Sequence, residues 1–376
     1  MQAIQRHIQP KIEKWLFRGK VIIIYGARQV GKTTLAKLLL EKFGQTDGYF
    51  NCETPSVSAA LENREPALLR RFIGNKKIVV FDEAQYVPNI GLTLKIFADT
   101  FPSLQIIATG SSSFELANRT SEPLTGRSLQ FTLLPFSLAE LEQWYNIFEI
   151  KSQLGHFLSY GLYPEIVKAP IEEARVLLED LSGKYLYKDI LAFENLKRSD
   201  VLYKLLKLLA LQIGHEVSYH ELASSLKINS RTVERYIDLL EKAFVVFRLT
   251  PLSRNLRKEI SKKNKIYFYD VGIRNAIVGQ YQAPELRTDK GSLWENFFIV
   301  ERLKYLQNNQ LKPKRYFWRT HNQQELDYIE ESNDTLHAFE IKWKPGRYRV
   351  PPSFAKAYPN NKTEFVNTEN FTSFLF

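Results

Sequence analysis

An apolar run from Val21 to Tyr25 leads directly into Gly26-Ala27-Arg28-Gln29-Val30-Gly31-Lys32-Thr33, which opens a helix-forming stretch from Lys32 to Phe43. The order G-x-x-x-x-G-K-[ST] makes strict demands on a fold. It needs a buried strand to deliver the chain, glycines that let the backbone curl, and a helix whose first N–H groups point back into the loop. Amides arranged in that way surround a polyphosphate. Lys32 is placed to reach the β- and γ-phosphates and Thr33 to hold Mg²⁺. The expected cofactors are therefore ATP and Mg²⁺. The expected binding residues are Gly26, Ala27, Arg28, Gln29, Val30, Gly31, Lys32, Thr33 and Thr34.

A second motif lies about 50 residues downstream, where Ile78-Val79-Val80-Phe81 ends in Asp82-Glu83. Asp82, at a strand terminus, is suited to order Mg²⁺ through its water shell, and Glu83 to polarise an attacking water. An Asp-Glu pair marks hydrolysis more than binding alone. Another polar strand end follows at Thr109-Gly110-Ser111-Ser112, where a hydroxyl could sense the γ-phosphate; turn chemistry also accounts for it. Arg127, just before the next strand, is a candidate arginine finger acting in cis or from a neighbouring subunit. Arg119 competes for that role, and an ordinary surface ion pair is the alternative for each.

Strand-like runs at Val21–Tyr25, Ile78–Phe81, Gln105–Ala108 and Ser128–Leu134 alternate with helical stretches at Lys32–Phe43 and Leu92–Phe101. That alternation predicts a parallel sheet with helices on both faces. Residues 136 to 210 read as helices, a lid, with Tyr185-Leu186-Tyr187-Lys188-Asp189-Ile190 inside one of them. Short amphipathic helices follow, carrying Leu222, Ala223, Leu226 and Ile228, then Val233, Ile237 and Leu240, around the Asn229-Ser230 turn. With a preceding helix from Asp200 to Ile213 and a hairpin of Phe244–Leu249 and Lys265–Asp270, this order predicts a winged helix. Arg231, Glu234 and Arg235 would face a DNA groove. Arg254, Arg257, Lys258, Lys262, Lys263 and Lys265 would form a basic wing tip against one acid, Glu259, suited to phosphates. A solvated hairpin on a module that packs only between domains is the competing reading.

The last third carries another set of acids. Glu295 falls in a helix from Lys290 to Leu306, Asp327 mid-strand, and Glu340 and Lys342 two apart on the next strand, so that their side chains leave the same face. Glu295, Asp327 and Glu340 are a candidate divalent-metal set, with Lys342 positioning water or stabilising charge; a structural ion pair is the alternative.

Bulk properties fit these expectations. Hydrophobic residues make up 44% of the 376 and charged residues 25%, so a packed core of two or three domains is expected. The longest apolar runs are strand-length, far below the ~20 residues of a membrane span. No apolar leader opens the chain, so a cytoplasmic protein without membrane association is expected. Cys52 is the only cysteine, which excludes an intrachain disulfide. Of the net charge of +11, about +7 lies beyond Pro251, which places any DNA-facing surface toward the C-terminus.

Taken in order, these pieces resemble prokaryotic AAA-type ATPases whose C-terminal half is a domain of unknown function with a restriction-endonuclease-like fold. The resemblance spans nearly the whole chain. It rests on the Gly26-to-Thr34 loop, Phe81-Asp82-Glu83-Ala84-Gln85, Thr109-Gly110-Ser111-Ser112, Gly126-Arg127, Lys265-Ile266-Tyr267-Phe268-Tyr269-Asp270 and Glu340-Ile341-Lys342. Gly161-Leu162-Tyr163-Pro164-Glu165 departs from the family's Gly-Gly-aromatic-Pro-Glu stretch at Leu162, which bears on the local turn. The resemblance implies ATPase activity. Read from the motifs themselves, Lys32, Glu83 and Arg127 are the candidate catalytic residues. The resemblance also implies a winged helix, and a nuclease-like domain whose acids match Asp327 and Glu340. The expected fold class is α/β, in four segments: an AAA-type P-loop core over 1–135, a helical lid over 136–200, a winged helix over 201–270 and a nuclease-like α/β domain over 271–376. ATP is the expected partner, with DNA and a second copy of the chain as candidates.

Overall fold

A computed structural model describes residues 4–110, 124–185, 199–253, 263–320 and 322–376. The chain divides into two compact units, Met1–Pro135 with Lys242–Phe244 and Phe136–Glu241 with Val245–Phe376.

In the first unit β1 (Val21–Tyr25), β2 (Tyr49–Asn51), β3 (Ile78–Asp82), β4 (Gln105–Gly110) and β5 (Ser128–Thr132) form one sheet in the order β2-β3-β4-β1-β5. Every pairing is parallel. A parallel strand covered on both faces has no solvated side, which is why β1, β3 and β4 read as nearly unbroken apolar runs. Ile23, Val79, Phe81 and Ile106 pack with Leu61, Leu69, Ile73, Leu94 and Phe97 from the helices Pro55–Glu62, Pro66–Ile73 and Ile90–Thr100. The helix Lys32–Lys42 buries Leu35, Ala36, Leu39 and Leu40 and packs on β3 and β4. Strand β2 and the helices over 55–73 add to what the alternation predicts. Three residues of strand are too short to carry a period, and Pro55 and Pro66 each open a helix where proline alone would suggest a loop.

Parallel pairing fixes the direction of the unit. The register Tyr25↔Gly110 and Phe81↔Ala108 brings the C-terminal ends of β1, β4 and β3 to one edge. Ligands of open α/β sheets bind at such an edge.

The second unit is built on a seven-stranded sheet. Its strands are β6 (Glu216–Val217), β7 (Val246–Pro251), β8 (Asn264–Phe268), β9 (Lys314–Arg319), β10 (Glu325–Ser332), β11 (Thr335–Ile341) and β12 (Asn361–Val366), in the order β12-β11-β10-β9-β7-β8-β6. Strand β7 joins β9 in parallel through Thr250↔Tyr316 and Pro251↔Phe317. The hairpin expected as a wing thus shares one sheet with the C-terminal strands, and the sheet continues across the boundary set at 270/271. The helices Ser199–Leu211, Tyr219–Leu226 and Ser230–Lys242 precede the hairpin. The last of these starts beside Asn229, whose Oδ1 accepts the Thr232 N–H at 2.7 Å. Short helices fill 138–180. Residues 186–198, with Tyr187, Lys188 and Asp189, lie outside the described residues.

Buried polar side chains tie these helices to the sheet. Asp270 accepts the N–H of Leu162 at 2.7 Å and that of Ile273 at 3.2 Å, so one carboxylate caps the helix Val271–Val278 and fixes the Gly161-Leu162 turn. Burial, only partly offset by those amides, pushes its carboxyl up to about 6. Asn296, on the long helix Lys290–Asn308, accepts the Phe268 N–H and donates to the Phe268 carbonyl, both at 2.8 Å. It serves as a one-residue strand against β8, where an unpaired buried group would cost about 1–3 kcal/mol. Further along the helix, Arg302 grips Glu330 of β10 with two bonds of 2.8 and 2.9 Å.

Candidate functional site

The loop after β1 is shaped by two glycines. A Cβ on Gly26 would lie 2.2 Å from the Leu133 carbonyl oxygen, so only glycine fits there. Gly31 turns the chain at φ 98°, a left-handed conformation that disfavours any side chain, and the helix starts at the next residue. The first-turn N–H groups of that helix have no partners within it and face the loop. Lys32, almost fully buried, donates to the carbonyls of Gly26 at 3.0 Å and Ala27 at 2.9 Å and lies 4.0 Å from Glu83 Oε1. Val30 is buried beneath the loop, Arg28 donates to the Tyr86 hydroxyl at 3.3 Å, and Gln29 and Thr34 are exposed.

Asp82 is the junction of the site. One of its oxygens accepts the hydroxyls of Thr33 at 2.7 Å and Tyr49 at 2.5 Å, and the other accepts the hydroxyl of Thr109. Glu83 follows in a left-handed conformation, φ 51° and ψ 47°, which is uncommon for a residue with a side chain. Its N–H donates to the Thr109 hydroxyl at 3.1 Å, and Gln85 donates to its carboxylate. Thr109 therefore orders both acids in this structure, where the sequence suggested a γ-phosphate sensor. Ser111, Ser112 and Arg119 lie outside the described residues. Nearby Cys52 is buried, and its thiol is pushed up to about 12, by burial first and then by Asp82 and Glu83, so it stays protonated and unreactive.

Arg127 requires a correction as a finger for its own nucleotide. It immediately precedes β5, and Val21↔Ser128 sets it at the N-terminal edge of the sheet. The loop after Tyr25 lies a full strand away, roughly 15 Å at the usual rise per residue. Its guanidinium instead pairs with Asp99 at 2.6 Å.

In the second unit β10 and β11 bring Asp327, Glu340 and Lys342 together, with Glu295 approaching from the long helix. Lys342 lies 2.6 Å from Glu340 and 3.4 Å from Asp327. Lys265, which the sequence placed on an exposed wing tip, is 1% exposed and bonds Glu295 at 3.1 Å and Glu325 at 2.5 Å, with Asp327 at 3.9 Å. This too is a correction: Lys265 faces inward as part of the acid cluster. Lys263 is exposed, while Arg254, Arg257, Lys258, Glu259 and Lys262 lie outside the described residues. Burial and then Asp327 push Glu340 up to about 7. Burial likewise lifts Glu295 to about 7 against the pull of Lys265 and Tyr267. Among the described residues, no group of three or more His, Cys, Asp and Glu is arranged to hold a metal ion. Lys265 stands among the carboxylates that the sequence reading gave to a metal.

A parallel sheet ordered β2-β3-β4-β1-β5, with a glycine-lysine loop after β1 and an Asp-Glu pair ending β3, defines the first unit as a P-loop nucleotide-binding domain. More particularly, residues 18–142 match the AAA domain family, and this supports an AAA-type ATPase. Residues 151–283 and 290–370 match two domains of unknown function, DUF8612 and DUF4143. An uncharacterized protein of Mycobacterium tuberculosis is 28% identical over 344 residues, covering 90% of this chain and 74% of that protein. An uncharacterized protein of Methanocaldococcus jannaschii is 26% identical over 391 residues, covering 97% of this chain and 85% of that one. A solved structure of Drosophila ORC bound to AT-rich DNA and Cdc6 aligns with 72% of this chain and 90% of its own at 11% identity; its TM-score of 0.25 is too low to support a comparison.

Sequence reasoning missed Tyr49, Arg6 and Glu325, and misplaced Lys265. Tyr49 reaches Asp82 only because β2 pairs with β3. Glu325 carried a visible signal, since it lies two residues before Asp327 on one strand and so on the same face. Arg6 had none: its guanidinium donates to the Val30 carbonyl at 2.7 Å and to the Leu134 carbonyl at 2.6 Å, across 128 residues of sequence. It braces the loop by tying its Val30 carbonyl to that of Leu134. Replacement Arg6→Ala is expected to weaken ATP binding roughly tenfold, the worth of one or two charge-assisted hydrogen bonds to a preorganised loop. Calorimetric titration with a non-hydrolysable analogue checks this, and unchanged affinity would remove Arg6 from the site.

Proposed function

We propose that this chain is an ATP-hydrolysing AAA-type switch whose nucleotide state governs DNA binding by its second unit. The observation that carries the ATP reading is the meeting of Lys32, Thr33, Asp82 and Glu83 at the C-terminal edge of one parallel sheet. The donor set fits a triphosphate with Mg²⁺. Lys32 donates to loop carbonyls and lies near a carboxylate, contacts that phosphate oxygens can replace. Thr33 and Asp82, already 2.7 Å apart, are matched to a magnesium shell. The ion would supply charge neutralisation between the phosphates. Glu83, held by Gln85 on its side chain and by Thr109 on its N–H, is the base that orients and deprotonates water. Since Arg127 cannot reach its own nucleotide, a finger role for it requires a neighbouring subunit.

Turnover of ATP tests this part. Lys32→Ala is expected to lose both binding and hydrolysis. Glu83→Gln is expected to keep ATP affinity while kcat falls by about 10²-fold or more. Wild-type turnover no faster than that of either variant would defeat the reading.

The DNA reading assigns 201–270 to a winged helix, 136–200 to a lid and 271–376 to a restriction-endonuclease-like fold. Supporting it is the helix Ser230–Lys242, which buries Val233, Tyr236, Ile237 and Leu240 and exposes Arg231, Glu234 and Arg235 on the other side. The C-terminal excess of positive charge adds long-range attraction for phosphates. Duplex DNA binding is expected to weaken at least tenfold between 50 and 200 mM salt, and to weaken further in Arg231→Ala/Arg235→Ala. Fluorescence anisotropy measures both. Absence of binding at low salt would turn the reading toward a switch acting on protein partners.

A further inference from the structure

A metal-dependent nuclease would gather a divalent ion between Asp327, Glu340 and the acids around them, so the decisive point is which oxygens are open to one. A hard divalent ion requires several oxygen ligands at close range. Asp327 Oδ2 accepts the Ile341 N–H at 2.8 Å, and Glu295 Oε1 accepts the Tyr267 hydroxyl at 2.5 Å. Glu325 faces Arg319 at 3.8 Å as well as Lys265 at 2.5 Å. Glu340 Oε2 is a fully buried oxygen of this cluster without a hydrogen-bond partner among the described residues.

The two lysines of the cluster differ in kind. Lys342 is 52% exposed and can withdraw into water. Lys265 is 1% exposed, bonded to Glu295 and Glu325, and lies 5.4 Å from the centre of the Phe317 ring. Its withdrawal would leave the buried Glu295 carboxylate and the half-buried Glu325 without their cation. A positive charge is therefore fixed within 4 Å of three carboxylates, and a divalent ion placed among them would meet it at close range.

We propose that Lys265 is the resident cation of this cluster, so that Glu295, Glu325, Asp327 and Glu340 take up no divalent metal ion and the second unit performs no metal-dependent strand cleavage. The ammonium satisfies acids that a metal would otherwise neutralise, and it does so from a strand of the same sheet. This assignment does not depend on the ATP site, and only the choice of DNA as test substrate rests on the function proposed above.

The test uses full-length, nucleotide-free, EDTA-stripped protein titrated with Mn²⁺ in a calorimeter. Wild type, Asp327→Asn and Glu340→Gln are expected to give the same trace. Lys265→Met, which removes the ammonium and keeps the bulk, is expected to bind Mn²⁺ at least roughly tenfold more tightly than wild type. That gain should vanish in Lys265→Met/Asp327→Asn. Mn²⁺ uptake by wild type that Asp327→Asn abolishes would overturn the proposal, as would a folded Lys265→Met that gains none. Should Lys265→Met fail to fold, wild type against Asp327→Asn and Glu340→Gln decides by itself. Incubation with duplex DNA and Mn²⁺ is a second readout: no cutting is expected, and cutting by wild type that Asp327→Asn removes would overturn the proposal.

Discussion

The Lys32 ammonium, enclosed by the carbonyls of its own loop, is the interaction on which the first unit's chemistry depends. A buried charge is tolerated only when polar groups surround it, so the loop must curl until those carbonyls reach it. Curling requires the left-handed turn at Gly31 and the close approach of Gly26 to Leu133. The same curl leaves the helix amides facing the position of an anion. One geometric constraint thus satisfies the lysine and shapes the loop proposed to hold phosphate.

Asp82 carries that order across the sheet. Its carboxylate gathers hydroxyls from the P-loop helix, from β2 and from β4, so three separate elements agree on where its oxygens lie. Glu83 next to it is held in an unfavourable backbone conformation by Thr109, the same residue that bonds Asp82. The second unit uses buried charge differently: Lys265 and Arg302 join the hairpin and the long helix to acids of β10, and there pairing between charges serves cohesion.

Much of this was legible in the sequence because buried parallel strands leave continuous apolar runs, and their ends leave polar residues. Val21–Tyr25 and Ile78–Phe81 marked two strands of the sheet, and Gly26 to Thr33 with Asp82-Glu83 marked its active edge. Other features were not legible, for physical reasons. Arg127 belongs to a suggestive Gly-Arg pair, but strand direction puts it at the wrong end of the sheet. Tyr49 and Arg6 act through contacts that sequence spacing does not encode. Lys265 looked like one of several wing-tip cations because the register joining β7 to β9 is non-local, and with that register the Lys265 side chain reaches Glu325 and Asp327.

The central claim is that the loop around Lys32 is a triphosphate cradle held ready by its own lysine. Crystals grown with Mg²⁺ and a non-hydrolysable ATP analogue test it most directly. The account predicts density for the phosphates inside the Gly26-to-Thr33 loop, with Lys32 Nζ moved from the Gly26 and Ala27 carbonyls to phosphate oxygens and Thr33 beside the metal. Density for the analogue elsewhere, with Lys32 still bonded to its own loop, would contradict it.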